Sequence, residues 1–311
     1  MFDKLGKLQY LLVIIGIAII YGINLISPHI NPYYLQIIIF SGINIILAVS
    51  LNVINGLCGQ FSLGHAGFMA VGAYLSAFFT YYYKVPFPLA LIAGGLASGI
   101  IGIGVGIPTL RLRGDYLAIA TLGMGEIIRV LLFNLDIVGG ARGFPGIDKY
   151  TNFFWVYLVV MLVLLSSYNL LKSPQGRAIL SIREDEIAAE AMGVDTTRFK
   201  IFAFVFGAFW AGVAGGLWAH YLQFLHPSSF TFMKSVEILV MIVLGGLGSI
   251  GGSAVSAVFL TFLPEALRYI KVIFNTTVDP RMVIYSLLLI LTMLLRPQGL
   301  IGGYRRRVKN Q

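Results

Sequence analysis

Long apolar runs, separated by short polar or glycine-rich stretches, recur along this chain from end to end. They lie near Tyr10–Ile26, Tyr33–Ile54, Ala66–Tyr83, Val85–Ile107, Tyr116–Leu135, Phe153–Leu171, Ile201–Leu222, Val236–Leu247, Ile250–Ala266 and Met282–Leu295. A helix needs about 20 mostly apolar residues to cross a bilayer, so each long run predicts a transmembrane helix. The Val236 and Met282 runs are short and predict tilted, extended or broken helices. The pattern predicts an all-α, polytopic integral membrane protein with about ten transmembrane helices. The first run follows Lys4 and Lys7, as in a signal peptide, but only Asn24-Leu-Ile-Ser-Pro28 comes after it. That offers no small-residue cleavage site, so the run reads as a retained helix.

One long polar stretch, Lys172–Lys200, interrupts the pattern. Ser181 followed by Glu184 reads as a capping-box helix start, and Gly193 reads as a helix stop. Between them Ile187, Ala188, Ala191 and Met192 share one helical face, while Glu186 and Glu190 stack on another. Such a helix offers a ridge for a partner's groove; a solvated connector is the alternative reading.

Composition agrees with the pattern. Of 311 residues, 58% are hydrophobic and 11% are charged, against roughly 25% charged in soluble domains. Mean hydropathy is +0.87. Polar groups this sparse cannot cover the apolar surface in water, so the bilayer is the solvent. The 36 glycines fit, because small residues let membrane helices approach closely. The one cysteine, Cys58, excludes an internal disulfide and any multi-cysteine metal site. It reads as a small apolar packing residue.

Charge sets the predicted orientation. With both termini inside, one set of loops collects Lys4, Lys7, Arg111, Arg113, Lys172, Arg177, Arg183, Arg198, Lys200, Arg296 and the tail Arg305-Arg-Arg-Val-Lys309. The opposite loops hold Lys84, Arg142, Lys149, Lys234, Arg268, Lys271 and Arg281. This asymmetry follows the positive-inside rule, so both termini and the 172–200 loop are expected to be cytoplasmic. The chain then reads as a single transmembrane domain over residues 1–311. Its net charge of +9 is an inner-face excess that meets anionic membrane lipids rather than nucleic acid.

Candidate chemistry is sparse. The stretch Asn55-Gly-Leu-Cys-Gly-Gln-Phe-Ser-Leu-Gly-His-Ala-Gly67 places Gln60, Ser62, Gly64 and His65 between two spans. Polar irregular backbone at that depth lines a cavity or is buried in protein. It therefore reads either as the wall of a translocation pathway or as a tight turn holding a satisfied histidine. The stretch Leu244-Gly-Gly-Leu-Gly-Ser-Ile-Gly-Gly252 contains a formal GxGxxG, but a dinucleotide fingerprint needs a strand–turn–helix unit. Between membrane helices it predicts a close-packed reversal joining two short helices. Glu126 and Arg129, at i,i+3 within a span, form a candidate intramembrane ion pair. His220, His226 and Glu237 read as interfacial residues at outer span ends, not as a proton relay. No metal-ligand cluster or catalytic constellation stands out.

Five runs taken together resemble a known family. They are Leu51-Asn-Val-Ile-Asn-Gly-Leu-Cys-Gly-Gln-Phe-Ser-Leu-Gly-His-Ala-Gly-Phe68, Leu110-Arg-Leu-Arg-Gly-Asp-Tyr-Leu-Ala-Ile-Ala-Thr-Leu-Gly123, Ile182-Arg-Glu-Asp-Glu-Ile-Ala-Ala-Glu-Ala-Met-Gly193, Val243-Leu-Gly-Gly-Leu-Gly-Ser249 and Arg296-Pro-Gln-Gly-Leu300. Order and spacing resemble the LivM-type membrane subunit of branched-chain amino acid ABC importers over nearly the whole chain. The resemblance implies a permease in a prokaryotic inner membrane, paired with a LivH-type permease. It also implies two cytoplasmic ATPases that bind ATP and magnesium, and an extracytoplasmic substrate-binding protein. The chain has no GxxxxGK[ST] phosphate loop, so it is expected to bind no nucleotide or other cofactor and to catalyse no reaction.

In such permeases a cytoplasmic helix with Glu-Ala-Ala and a later glycine docks into the ATPase. Aligning that glycine on Gly193 puts Ala188 and Ala189 in register, with Ile187 where the motif has Glu. Glu184, Glu186, Ile187, Ala188, Ala189, Glu190, Ala191, Met192 and Gly193 are thus the expected coupling helix. Leucine, isoleucine and valine are the implied substrates; urea, short amides and other amino acids are carried by similar permeases. An ion-coupled secondary transporter is the reading from another class, and Glu126 is its one obvious coupling carboxylate.

Overall fold

The computed structural model describes residues 16–18, 20–25, 31–110, 112, 114–274, 287 and 290. The predicted first span lies partly outside these residues, and the tenth almost wholly. Arg111, Arg113 and the basic tail lie outside them too.

Asn31 starts α1 (Pro32–Asn52) by accepting the Tyr33 N–H at 3.0 Å, with Pro32 at the first helical position, where its missing N–H costs nothing. A π-helical turn, Val53–Leu57, continues it. Extended backbone then leads to α2 (His65–Tyr83), followed by α3 (Phe87–Thr109) and α4 (Asp115–Asn134). Beyond α4, 3-10 turns lead to β1 (Phe144–Pro145) and then α5 (Phe153–Lys172). The polar stretch forms α6 (Pro174–Glu184) and α7 (Glu186–Ala191). Then come α8 (Thr196–Leu222), β2 (Phe224–Leu225), α9 (Phe232–Gly245) and α10 (Ile250–Phe274). Among the described residues the one strand pair is β1–β2, antiparallel with Phe144 opposite Leu225.

Among the described residues, five helices are long and apolar enough to cross a membrane: Pro32–Leu57, α3, α4, α5 and α8. Pro32–Leu57 is the most enclosed, with 89% of its most apolar window buried, so it forms the central column. On one side α8 packs along α2 and α3; on the other, α9 and α10 pack with α1.

Glycine makes the α2–α8 crossing possible. A Cβ at Gly72 would collide with the Gly212 backbone, and one at Gly212 would collide with Ser98. At this close approach Ser98 Oγ donates to the Phe68 carbonyl at 2.9 Å, tying α3 to α2. Nearer the β1–β2 end, His220 Nδ1 donates to the Gly216 carbonyl (2.8 Å), and Nε2 meets Thr80 Oγ1 (2.9 Å). His220, in the last turn of α8, is fully buried. Phe87 and Tyr150 cover this end of α8, so the imidazole lies inside the bundle.

The polar stretch also departs from expectation. Ser181 does not cap a helix; it lies inside α6, and its hydroxyl donates to the Ala178 carbonyl at 2.8 Å. Helix α6 starts earlier because Ser173 accepts the Gly176 N–H at 3.0 Å and Pro174 fixes the first turn. Asp185 then breaks the helix and caps α7, accepting the N–H groups of Ile187 (2.9 Å) and Ala188 (3.0 Å) on one oxygen. A short carboxylate competes well for free amides at a helix start, so one expected helix becomes two. The predicted stop at Gly193 is present. With φ of 85°, it lets Val194 N–H reach the Ala189 carbonyl (3.0 Å) while its own N–H meets Glu190 (2.9 Å). This is the Schellman pattern.

Candidate translocation and coupling sites

The interruption after α1 is a real break. From Gly59 to Gly64 the backbone is neither helix nor strand, and such backbone at membrane depth must find partners. Other helices supply them. Asn55 brackets Ser62, with its amide oxygen accepting the Ser62 N–H (3.2 Å) and its amide nitrogen donating to the Ser62 carbonyl (3.3 Å). Thr121 of α4 accepts the Leu63 N–H at 3.0 Å, and Ser235 of α9 accepts the Ala66 N–H at 3.0 Å. Gln60 N–H reaches back to the Ile54 carbonyl at 3.1 Å.

Its candidate residues differ in access. Gln60 is half-buried, whereas Ser62, Gly64 and His65 are buried within this chain. His65 Nε2 lies 2.9 Å from Ser50 Oγ, whose proton is directed to the Leu47 carbonyl (2.9 Å). Ser62 Oγ, Asn52 Nδ2 and His65 Nδ1 are buried without a hydrogen-bond partner among the described residues. Buried polar atoms are almost always paired, so three such atoms beside one break mark it as incomplete within the described residues.

The second glycine-rich stretch is a reversal between α9 and α10, with Gly246 and Gly248 at φ of 98° and 86°. Helix α9 runs directly into it. Of its two flanking helices, α9 is short as expected but α10 runs for 25 residues. The Gly248 N–H donates to Asn52 Oδ1 at 2.9 Å, docking the reversal on the end of α1.

Glu126 and Arg129 face each other on α4: Arg129 Nε donates to Glu126 Oε2 at 2.7 Å, with both side chains about one-third exposed. The other carboxylate oxygen accepts the Phe232 N–H at 3.3 Å, placing negative charge at the start of α9, where the helix dipole favours it. Glu126 thereby ties α4 to α9.

The nine candidate coupling residues run from the end of α6 through α7 and turn in two directions. Ala189 is buried, and Glu186 meets Lys200 on the first turn of α8 (Nζ–Oε2 2.7 Å), with Lys200 only 3% exposed. Glu184 pairs with Arg183. Glu190, Ala188, Ala191 and Gly193 are exposed, together with Ile187 at 69% and Met192 at 85%. Two large apolar side chains, Ile187 on the six-residue helix and Met192 just past its end, form a ridge that the described residues leave uncovered.

Sequence reasoning missed Asn55, Thr121 and Ser235, the side chains that satisfy the break. Polar residues inside otherwise apolar spans were the available signal. It also missed the Lys200–Glu186 pair, since Lys200 reads as one more inner-face positive charge.

A glycine-knit helical bundle, with an unwound polar segment and a folded polar appendage, defines the class as a polytopic membrane permease. Residues 33–295 match the family described as branched-chain amino acid transport system / permease component, and the chain belongs to that family. It is 40% identical, over 302 residues, to the high-affinity branched-chain amino acid transport system permease protein LivM of Salmonella typhimurium. That match covers 86% of this chain and 69% of the relative. The probable LivM permease of Methanocaldococcus jannaschii is 27% identical, over 86% of this chain and 92% of that one. The LivH permease of Escherichia coli is 26% identical, over 94% and 91% respectively. No solved structure matches the chain.

Proposed function

We propose that this chain is the LivM-type half of a two-permease pore that imports leucine, isoleucine and valine at the expense of ATP. The observation that carries the reading is the exposed Ile187/Ala188/Ala191/Met192 ridge on α7, in a chain of this permease family. A permease without a phosphate loop needs an external motor, and a small apolar ridge held rigidly from behind suits a partner's groove. Similarity to LivM and LivH alike suggests that the second permease shares this fold. Two cytoplasmic ATPases, holding ATP and magnesium, and an extracytoplasmic binding protein complete the assembly. About ten crossings, with both termini and residues 172–200 in the cytoplasm of a prokaryotic cell, give the arrangement in which α7 meets the ATPases. Residues 1–311 then act as one permease domain.

The test is uptake of labelled leucine into proteoliposomes holding both permeases and the ATPases, with binding protein supplied outside. Uptake should require ATP and binding protein and should be competed by isoleucine and valine. Accumulation driven by an ion gradient without ATP would support the secondary-transporter reading instead. Competition by urea or short amides alone would move the substrate class.

We further propose that Gln60, Ser62, Gly64 and His65 belong to the wall of the pathway. The unwound backbone and the three unpartnered polar atoms beside it support this. Single cysteines at Gln60, Ser62 and His65, in a Cys58→Ala background, should react with small polar thiol reagents in at least one transport state. Protection of all three in both nucleotide-free and ATP-trapped complexes would leave only the packed-turn reading.

A further inference from the structure

We propose that Arg183 is the positioning residue through which the coupling segment moves the unwound stretch of the pathway. The proposal rests on the reading of α7 as the coupling helix. Arg183 stands at the end of α6, whose buried residues Gly176, Ile179 and Ile182 hold that helix against the bundle. From there its Nη1 donates to the Gly56 carbonyl at 3.1 Å. Gly56 lies in the π-helical turn just before the chain unwinds, where a helix end leaves carbonyls without backbone partners. A guanidinium caps such a carbonyl well, because its charge also complements the negative end of the helix dipole.

The slot around Arg183 is built by missing side chains. A Cβ at Gly59 would stand 3.0 Å from Arg183 Cγ, and one at Gly248 would stand 2.8 Å from Nη1. One side chain therefore touches the π-helical turn, the unwound stretch and the α9–α10 reversal. On its other side Arg183 pairs with Glu184, next to the Asp185 cap of α7. Glu186 and Lys200 join α7 to α8, so α6, α7 and the first turn of α8 form one block. Between this block and the break lies a cavity of about 170 Å³, lined among others by Gln60, Phe61, Ile182, Arg183 and Glu186. Beside that cavity Val53, Leu57 and Cys58 pack against Leu170, Ile179 and Ala203, so the π-helical turn follows the block, and Arg183 extends this link to the Gly56 carbonyl.

The experiment compares Arg183→Met, Arg183→Lys and Gly59→Ala with wild type in the complete assembly of both permeases, ATPases and binding protein. Arg183→Met keeps the stem but removes the donor. It should retain the ATPases and their basal hydrolysis, while stimulation by loaded binding protein and uptake per ATP fall about tenfold. Arg183→Lys, which can still donate one hydrogen bond to Gly56, should recover part of both. Gly59→Ala leaves Arg183 intact but crowds its stem and strains a backbone held at φ of 72°, and should reproduce a milder loss; its stimulation is read where Arg183→Met does not assemble. Wild-type stimulation in Arg183→Met, or in Gly59→Ala where Arg183→Met does not assemble, overturns the proposal. Loss of the ATPases from Arg183→Met also overturns it, making Arg183 a docking contact. Ala188→Arg in parallel separates the two ideas: ATPase retention by that variant rejects the coupling reading of α7 itself.

Discussion

Ala188→Arg is expected to strip the ATPases from the assembled importer while leaving the permeases inserted. Ala188 is exposed on α7 between Ile187 and Ala191, and Asp185 caps its backbone N–H, so the local helix has room for a longer side chain. The change is thus benign in the free chain and harmful only where the ridge meets a partner. Burying an unpaired guanidinium in an apolar contact forfeits on the order of 3 kcal/mol, about a hundredfold in affinity. Co-purification of the ATPases and binding-protein-stimulated hydrolysis should both drop to background. Wild-type values in both would remove the coupling assignment. Charge changes at exposed Glu190 should matter far less, because a rim ion pair contributes only ~0–1 kcal/mol.

The second large effect is expected inside the bundle. Gly212→Val would place a branched side chain where α8 meets Ser98 and the Gly94 carbonyl of α3. Neither neighbour is the movable end of a long side chain, so whole helices must separate. Overpacking of this kind costs about 3 kcal/mol, which lowers the melting temperature of a chain this size by roughly 5 °C. The check is thermal unfolding of the purified chain in detergent, with Gly104→Ala as control. Gly104 lies on the exposed face of α3 with nothing within 4 Å of an added Cβ. That control should be neutral or gain up to about 1 kcal/mol from helix propensity. Equal melting temperatures for Gly212→Val and wild type would show that the α3–α8 contact is looser than its geometry implies.

The helices were legible in the sequence to within a few residues wherever long apolar runs dominate. The run Phe153–Leu171 became Phe153–Lys172, and Val85–Ile107 became Phe87–Thr109, displaced because Pro86 caps that helix. The break after α1 was legible as well, since glycine and polar residues cluster there. Its partners were not: Thr121 and Ser235 come from helices remote in sequence, and no local pattern links them to Leu63 or Ala66. The split of the polar stretch was misread for a local reason. Ser181 and Glu184 match the capping-box spacing, but Ser173-Pro174 and Asp185 are stronger signals on either side. Spacing alone does not rank competing caps. The apolar ridge on α7 was legible from periodicity; the inward turn of Glu186 was not, because it depends on Lys200 fourteen residues later.

The Lys200–Glu186 pair has a mechanical consequence. Helix α8 runs 27 residues without interruption from Thr196, about 40 Å at 1.5 Å per residue, which exceeds the roughly 30 Å hydrocarbon thickness. Its first turn is clamped to α7 through that pair, and its far end passes within two residues into β2, stapled to β1. Such a rod cannot shorten, so a tilt imposed at Thr196 swings Phe224 and its strand partner Pro145 at the opposite surface of the molecule. In the proposed assembly the ends of this one lever lie where fuel is used and where cargo arrives.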